Sequence, residues 1–221
     1  MDKKVLFLDL DGTIANSLPK MFELFTDLLA PYGVTATDEE FRSLLGPSVA
    51  EIVATVREKH NIEQSNEELY HHYITKIEAC YNEEIELFPG VVEFLDFASQ
   101  RQQKVCLVTS APKSLSHSFL QSKGILPYFY SIYTAEDTAR RKPHPDIYQL
   151  ALHNEQYTPE QAITVEDSPQ GITASVAAGI DTIAIHAHNE CNTNGLLASV
   201  DNWHELLAFA KGKWSQRSNI H

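Results

Sequence analysis

The stretch VLFLDLDGTIANS, residues Val5–Ser17, decides the fold of this chain, because an uninterrupted apolar run leads directly into two aspartates and a glycine. Residues Val5–Leu8 show no polar alternation, which predicts a strand buried on both faces of a parallel sheet. Asp9 and Asp11 follow at its carboxyl end, which faces the ligand crevice in open α/β sheets, and Gly12 permits a sharp turn. Two carboxylates this close need a cation, a shared proton or one neutral carboxyl group. Taken alone, the segment could equally be a strand that ends in a simple turn.

Three further polar motifs follow along the chain. They are Thr109-Ser110 at the end of VCLVTS, Lys142 in RRKPHPDIY, and Glu166-Asp167 at the end of AITVEDS. Together with the DxDGT pattern of residues 9–13, these motifs resemble, in the right order, those of the haloacid dehalogenase superfamily. The resemblance extends over nearly the whole chain, and four ordered motifs are far more specific than any one of them.

From about residue 88 onward, strand and helix patterns alternate, which predicts a parallel sheet covered by helices on both faces. We therefore expect an α/β fold with a core domain of residues 1–15 and 88–221 and an all-helical insert of residues 16–87. Two capping boxes are predicted in the insert: Thr37 with Glu40, and Ser65 with Glu68. The resemblance implies a Rossmann-like core and a cap domain that closes over the active site. We expect Gly212–His221 to be a frayed surface end.

The composition is that of an ordinary soluble globular protein, with 43% hydrophobic and 21% charged residues. The formal charge of −13 argues against nucleic acid or an anionic membrane as a partner, although a local cation can still attract a small anionic substrate. We find neither a segment of transmembrane length nor a signal-peptide pattern. The cysteines Cys80, Cys106 and Cys191 lack metal-ligand spacing, so a cytoplasmic protein is expected, with Cys106 as a small buried hydrophobe. A monomer and a homodimer both stay open.

The resemblance implies phosphoryl transfer through an aspartyl phosphate and assigns a role to each motif residue. Asp9 would be the nucleophile, and Asp11 the general acid and base that protonates the leaving alcohol and later deprotonates water. Lys142 would offset the negative charge of the phosphate and of Asp9. The other phosphate contacts would be the Thr109 hydroxyl and the backbone amides of Ser110 and Ala111.

Negative charge exceeds positive charge in this set of residues, which makes a divalent cation close to obligatory. Mg²⁺ fits best, because the available ligands are oxygens and neither His nor Cys is required. The resemblance implies these protein ligands: Asp9, the backbone carbonyl of Asp11, Asp167, and Glu166 either directly or through water. An acidic helix start is the alternative interpretation of Glu166-Asp167. The Lys142–Pro143 bond is a candidate cis peptide with the amine directed inward, and an exposed basic turn is the alternative.

We predict a Mg²⁺-dependent phosphatase that hydrolyses small phosphomonoesters, of the phosphoglycolate or sugar phosphate type. Specificity would come from a turn in the cap, formed by Leu45, Gly46, Pro47 and Ser48. A β-phosphoglucomutase-like mutase is the main alternative. That branch usually has an Arg after the Gly-x-Ser turn and a His in the first cap helix, where this chain has Val49 and Met21.

Two other classes are also considered. Phosphonate-hydrolysing relatives use a cap lysine as a Schiff base, and Lys20 is the candidate, but nothing around it suggests a lowered pKa. A receiver-type signalling module also phosphorylates an aspartate beside Mg²⁺, a hydroxyl and a lysine. Such a module would gain nothing from Asp11 as an acid and base, or from a helical insert. His144 lies beside Lys142 in the sequence and is expected to be a bystander.

Overall fold

The computed structural model describes residues 3–45, 47–186 and 195–214. The chain divides into two compact units: a sheet unit of Met1–Ala15 with Leu87–His221, and a helical unit of Asn16–Glu86. In the described residues the sheet unit has six parallel strands in the order β3-β2-β1-β4-β5-β6. These strands are β1 (Val5–Leu8), β2 (Lys104–Thr109), β3 (Phe129–Thr134), β4 (Ala162–Glu166), β5 (Asp181–Ile185) and β6 (Leu196–Val200).

Strand β1 lies inside the sheet, hydrogen-bonded in parallel to β2 on one side and to β4 on the other. All four of its residues are 0% exposed, which confirms the prediction of a strand covered on both faces. Leu8 is level with Leu107 of β2 and with Val165 of β4. The carboxyl ends of the three strands therefore bring Asp9, Thr109 and Glu166 to the same edge of the sheet.

Helices accompany the strands in the sheet unit. They are α5 (Val91–Gln100), α6 (Lys113–Ser122), α7 (Asp146–Glu155), α8 (Pro169–Ala177) and α9 (Trp203–Trp214). On one face, Phe7 of β1 joins Tyr148 of α7 and Ala174 of α8 in one buried apolar cluster. Separately, α5 and α9 pack through Phe94 and Trp203, whose ring centroids are 5.1 Å apart. The predicted alternation of strands and helices is thus confirmed as a parallel α/β sheet with apolar helix packing.

Helix α9 corrects the prediction of a frayed end from Gly212 onward, because the helix continues to Trp214. The Trp214 ring is 1% exposed and stacks on Phe97, with centroids 6.3 Å apart. Its backbone carbonyl accepts a hydrogen bond of 2.5 Å from Arg101. Aromatic burial therefore holds the last helical turn in place, and the prediction for residues 215–221 falls outside the described residues.

The helical unit contains α1 (Leu18–Leu29), α2 (Asp38–Ser43), α3 (Val49–His60) and α4 (Asn66–Glu83). Ser65 and Glu68 form the predicted capping box at the start of α4. The predicted box at Thr37 is only half formed. The Thr37 side chain accepts a hydrogen bond from the Glu40 amide, but the Glu40 carboxylate pairs with Lys59 at 2.9 Å instead of reaching back to the cap.

Among the described residues, no helix combines the length and the apolar character needed to cross a bilayer. Cys80 and Cys106 are free and buried, and Cys191 lies outside the described residues. Burial, followed by the charge of Glu155, raises the pKa of Cys106 to about 12. The thiol therefore stays protonated at neutral pH, and its expected role as a small buried hydrophobe is confirmed.

Candidate active site

The loop that follows β1 is built around one backbone carbonyl. The Leu10 oxygen accepts hydrogen bonds from the amides of Thr13, Ile14 and Ala15, at 3.3, 2.9 and 2.8 Å. This tight loop needs Gly12, whose φ of +77° suits glycine, and a Cβ atom there would lie 2.0 Å from Oδ2 of Asp167. The sharp turn predicted at Gly12 is confirmed, and it brings the loop against Asp167 at the end of β4.

The buried ammonium group of Lys142 lies between two carboxylates. Its Nζ donates to Oδ1 of Asp9 at 2.8 Å, to Oε1 of Glu166 at 2.5 Å and to the carbonyl of Val108 at 3.0 Å. The Lys142 side chain is only 4% exposed. The Lys142–Pro143 bond is cis, as predicted, and the amine does not lie in an exposed basic turn.

Glu166 and Asp167 have different surroundings although they are neighbours in the sequence. Glu166 is 0% exposed and accepts hydrogen bonds from Lys142, Tyr148 and Ser168. Asp167 is partly exposed and accepts a hydrogen bond of 2.9 Å from the hydroxyl of Thr13. The first carboxylate is therefore enclosed by protein donors, whereas the second lies against the loop that follows β1.

Burial and mutual repulsion together shift the pKa values of these groups. Burial, followed by the charge of Glu166, raises the pKa of Asp9 to about 8, although Lys142 opposes the rise. Burial and the charges of Glu166 and Asp9 also raise the pKa of Asp167 well above its ordinary value, against the hydrogen bond from Thr13. Burial opposes the charge on Lys142, but Asp9 and Glu166 outweigh it and raise the Lys142 pKa well above its usual range. The lysine therefore stays cationic.

The three acidic residues together fit a divalent cation. Asp9, Glu166 and Asp167 each offer a carboxylate oxygen, and these oxygens lie within 4.8 Å of one another. When all three carboxyl groups are ionised, Lys142 as their buried counter-ion still leaves two negative charges uncompensated. An all-oxygen set of this kind suits Mg²⁺ better than a metal that prefers nitrogen or sulfur ligands.

The remaining motif residues lie at the same end of the sheet unit. Thr109 ends β2 and is 1% exposed, and its hydroxyl oxygen accepts a hydrogen bond of 3.1 Å from the Ala111 amide. Within the described part of the chain, the structure gives no acceptor for the Thr109 hydroxyl proton. The Ala111 amide, in contrast, is already used within the loop. Asp11 is partly buried, and its backbone forms a bridge with Ala15.

The predicted specificity turn belongs to the helical unit. Leu45 is partly buried and Pro47 is exposed, and Gly46 lies outside the described residues. Ser48 is the N-cap of α3 and forms a full capping box with Glu51, a cap that was not predicted. The turn therefore leads directly into a well-capped helix.

Lys20 and His144 are the two remaining side chains considered in the sequence. Lys20 donates to Glu23 at 2.6 Å and pairs with Glu84 at 3.0 Å, and its pKa is raised, chiefly by the hydrogen bond from Lys20 to Glu23. A Schiff-base amine requires the opposite shift, so Lys20 does not have the properties of one. The side chain of His144 is exposed, in keeping with a bystander.

Several residues near the carboxylates were quoted in the motifs without being given a role. Thr13 binds Asp167, Tyr148 binds Glu166, and Ser168 binds Glu166 through both its amide and its hydroxyl. The signal for Tyr148 was its place in RRKPHPDIY, six residues after Lys142. Trp203, whose indole donates to the Thr13 carbonyl at 2.9 Å, had no such signal because it follows a segment without a motif.

Comparison with known proteins adds independent findings. Residues 5–185 match the family model described as haloacid dehalogenase-like hydrolase. The phosphorylated carbohydrates phosphatase of Thermotoga maritima is 27% identical over 85% of this chain and 88% of that protein. The validoxylamine A 7′-phosphate phosphatase of Streptomyces hygroscopicus subsp. limoneus is 31% identical over 82% of this chain and 85% of that protein. The crystal structure of CbbY from Rhodobacter sphaeroides in complex with phosphate has a TM-score of 0.79 at 24% identity, covering 92% of this chain and 96% of that one.

Proposed function

The chain belongs to the haloacid dehalogenase-like hydrolase family, and two of the relatives described above are named as phosphatases. From this premise we propose that it is a Mg²⁺-dependent phosphatase that hydrolyses small phosphomonoesters through a phosphorylated Asp9. The relatives named for phosphorylated carbohydrates and for validoxylamine A 7′-phosphate favour a phosphorylated sugar or a similar polyol as the substrate. Phosphoglycolate, a smaller molecule, is the second candidate.

One observation carries this proposal. Oδ1 of Asp9 lies 2.8 Å from the buried ammonium of Lys142, and the Asp9 carboxylate belongs to a cluster of three acidic groups at one edge of the sheet. A simple turn at a strand end does not require a buried lysine or two further carboxylates. The arrangement fits phosphoryl transfer, which needs an oxygen nucleophile with positive charge beside it.

In the first step, a carboxylate oxygen of Asp9 attacks the phosphorus atom, and the bond from phosphorus to the ester oxygen breaks. Asp11 donates a proton to the leaving alcohol. In the second step, Asp11 removes a proton from water, which attacks the aspartyl phosphate and regenerates Asp9. The Thr109 hydroxyl and the Ser110 amide donate to the phosphoryl oxygens. The Ala111 amide holds the Thr109 hydroxyl in place, with the bond of 3.1 Å described above.

Mg²⁺ would be held by Asp9, the backbone carbonyl of Asp11 and Asp167, with Glu166 completing the acidic cluster. The bound ion would supply positive charge to the phosphoryl oxygens and so lower the barrier to attack by an anionic nucleophile. Lys142 contributes a second, fixed positive charge, which keeps Asp9 oriented when no substrate is present.

We propose that the helical unit acts as the cap domain of the family. Within it, the turn of Leu45, Gly46, Pro47 and Ser48 would select the substrate. Exchange of this turn for that of a relative should change the ranking of substrates and leave the metal requirement intact. A changed metal requirement with an unchanged ranking would move specificity to another part of the chain.

The central experiment measures release of inorganic phosphate from sugar phosphates, phosphoglycolate and nucleotides, with Mg²⁺ and with EDTA. We expect turnover only with the metal, and a loss of about 10³-fold or more in Asp9→Asn, because the nucleophile is removed. Asp201→Asn is the matched control, since Asp201 is an exposed aspartate of the same sheet unit. Full activity in Asp9→Asn would refute the covalent mechanism.

Two other results would favour the alternative classes. If acetyl phosphate gives a long-lived acyl phosphate on Asp9 without repeated turnover, the chain is a signalling module of the receiver type. If a sugar phosphate is converted into its isomer without release of phosphate, it is a mutase. The residues Val49 and Met21, in place of the Arg and His usual in the mutase branch, lead us to expect hydrolysis.

A further inference from the structure

The hydrogen-bonding capacity of Glu166 is already filled by the protein. Oε1 accepts from Lys142 at 2.5 Å and from the hydroxyl of Tyr148 at 3.2 Å. Oε2 accepts from the amide of Ser168 at 3.1 Å and from its hydroxyl at 3.0 Å. An ionised carboxylate has about four acceptor positions, two on each oxygen, so all of them are used.

Asp9 and Asp167 are different in this respect. Within the described residues, the side-chain donor to Asp9 is Lys142 and the side-chain donor to Asp167 is Thr13, and each binds Oδ1. Both carboxylates therefore keep acceptor positions for a cation. Asp167 is also partly exposed, whereas Glu166 is 0% exposed. A direct bond from Glu166 to a metal would have to displace one of its four donors, at the cost of leaving that donor unpaired.

The chain leaves space for Glu166 at one particular place in α8. A Cβ atom on Gly171 would lie 1.7 Å from Oε1 of Glu166, although the backbone of Gly171 is not in the left-handed region. The Gly171 amide also donates at 3.0 Å to the hydroxyl of Ser168, which in turn donates to Glu166. The first turn of α8 is therefore shaped around this carboxylate.

Lys142 is the group that gains from this arrangement. An ammonium has three N–H donors, and those of Lys142 reach Asp9, the Val108 carbonyl and Glu166. Glu166 supplies one of the three contacts that fix the ammonium in front of Asp9. Because Tyr148 and Ser168 fix Glu166 in turn, the orientation of the charge beside Asp9 depends on residues that do not touch substrate.

We propose that Glu166 is a positioning residue for Lys142 and not a direct ligand of the metal, and that Tyr148, Ser168 and Gly171 form the pocket that holds its carboxylate. This inference rests on the proposed function, because it assigns a role within the same site. It leaves Asp9, the Asp11 carbonyl and Asp167 as the protein ligands of Mg²⁺.

Calorimetric titration of the whole protein with Mg²⁺ alone tests the proposal without any substrate. We expect Glu166→Gln to bind Mg²⁺ within about threefold of the wild type, and Asp167→Asn to bind at least about tenfold more weakly, since only the latter loses a ligand. A loss of affinity in Glu166→Gln equal to that in Asp167→Asn would overturn the proposal.

Steady-state kinetics at saturating Mg²⁺ separate positioning from a merely structural role. Glu166→Gln should lower kcat by about 10- to 100-fold with little change in KM, because substrate still binds but Lys142 no longer holds Asp9 correctly. Tyr148→Phe removes only one hydrogen bond to Glu166 and serves if Glu166→Gln folds poorly. It should lower kcat several-fold at unchanged Mg²⁺ affinity, and weaker Mg²⁺ binding in this variant would also overturn the proposal.

These experiments distinguish an error in the proposed function from an error in the positioning role of Glu166. If no phosphomonoester is hydrolysed but the Mg²⁺ affinities follow the expected order, the proposed function is wrong and the position of Glu166 outside the metal shell stands. If esters are hydrolysed but Glu166→Gln and Asp167→Asn lose Mg²⁺ equally, the function stands and the positioning role is wrong.

Discussion

Replacement of Lys142 by Met should destabilise the sheet unit strongly, in addition to abolishing turnover. Met keeps most of the apolar stem but removes the ammonium. Two carboxylates that pair with it at 2.8 and 2.5 Å, those of Asp9 and Glu166, are then left without their shared counter-ion. Their side chains are 10% and 0% exposed, so water cannot replace the lost charge.

The size of the effect follows from burial. Removing one partner of a buried ion pair costs about 3–5 kcal/mol, because it leaves an uncompensated charge in the interior. For a protein of this length, 1 kcal/mol corresponds to about 2–4 °C in the unfolding midpoint, so we expect a decrease of roughly 6–20 °C. The measurement is thermal unfolding at about pH 9, above the Asp9 pKa of about 8, with EDTA present so that bound metal does not contribute.

Lys20→Met is the matched control for this prediction. Lys20 also pairs with two carboxylates, at 2.6 and 3.0 Å, but its side chain is 36% exposed. Exposed ion pairs are screened by water and contribute little, so this variant should unfold close to the wild type. In the double variant Lys142→Met with Glu166→Gln, part of the lost stability should return, because one uncompensated charge is removed. Equal midpoints for the two lysine variants would refute the argument from burial.

Three further predictions concern other positions. Gly12→Ala should lower the free energy of unfolding by roughly 1–3 kcal/mol and remove most of the activity, since φ is +77° and the added Cβ would meet Asp167. Gly212→Ala, where an added Cβ has nothing within 4 Å, should be tolerated in the same unfolding and phosphate-release assays. The Lys20→Met variant should keep phosphate release within about twofold of the wild type, whereas a Schiff-base mechanism would require its loss. Burial opposes ionisation of Glu155, but hydrogen bonds from three side chains, Ser131, Tyr133 and Lys104, lower its pKa. Its ionised form therefore stabilises the fold above the unfolded pKa of about 4.3, and this contribution is lost as the pH falls through the lowered folded pKa. Urea unfolding should show Glu155→Gln about 1–3 kcal/mol less stable than the wild type at neutral pH, with the difference closing as the pH falls below the lowered folded pKa of Glu155.

The parallel core was predictable from the sequence because its central strand has no polar residue between Val5 and Leu8. Such a continuous apolar run is typical of a strand that is buried on both faces. The edge that carries the candidate site was predictable for a related reason, since Asp9, Thr109 and Glu166 each follow or end an apolar run. Parallel register then brings them to one edge without any knowledge of long-range contacts.

The parts that could not be predicted depend on packing between distant segments. The local sequence Glu166-Asp167 does not determine whether Glu166 binds a metal or a lysine. The partner depends on which donors reach each carboxylate in three dimensions. The same is true of Trp214, which burial against Phe97 removes from the surface. At Thr37, the local capping pattern lost its second hydrogen bond because Lys59 offered the Glu40 carboxylate an opposite charge.

The orientation of the charge beside Asp9 is inseparable from core packing on one face of the sheet. Tyr148 contacts Phe7 of β1, with ring centroids 6.2 Å apart, and the same tyrosine donates from its hydroxyl to Glu166. One side chain therefore connects the apolar cluster beneath β1 to the carboxylate that holds Lys142. Because protein interiors are close-packed, a smaller residue in place of Phe7 would let Tyr148 shift. That shift would change the position of the Lys142 ammonium. The strand that carries Asp9 to the edge of the sheet thus also sets, through Tyr148, the position of the ammonium that faces it.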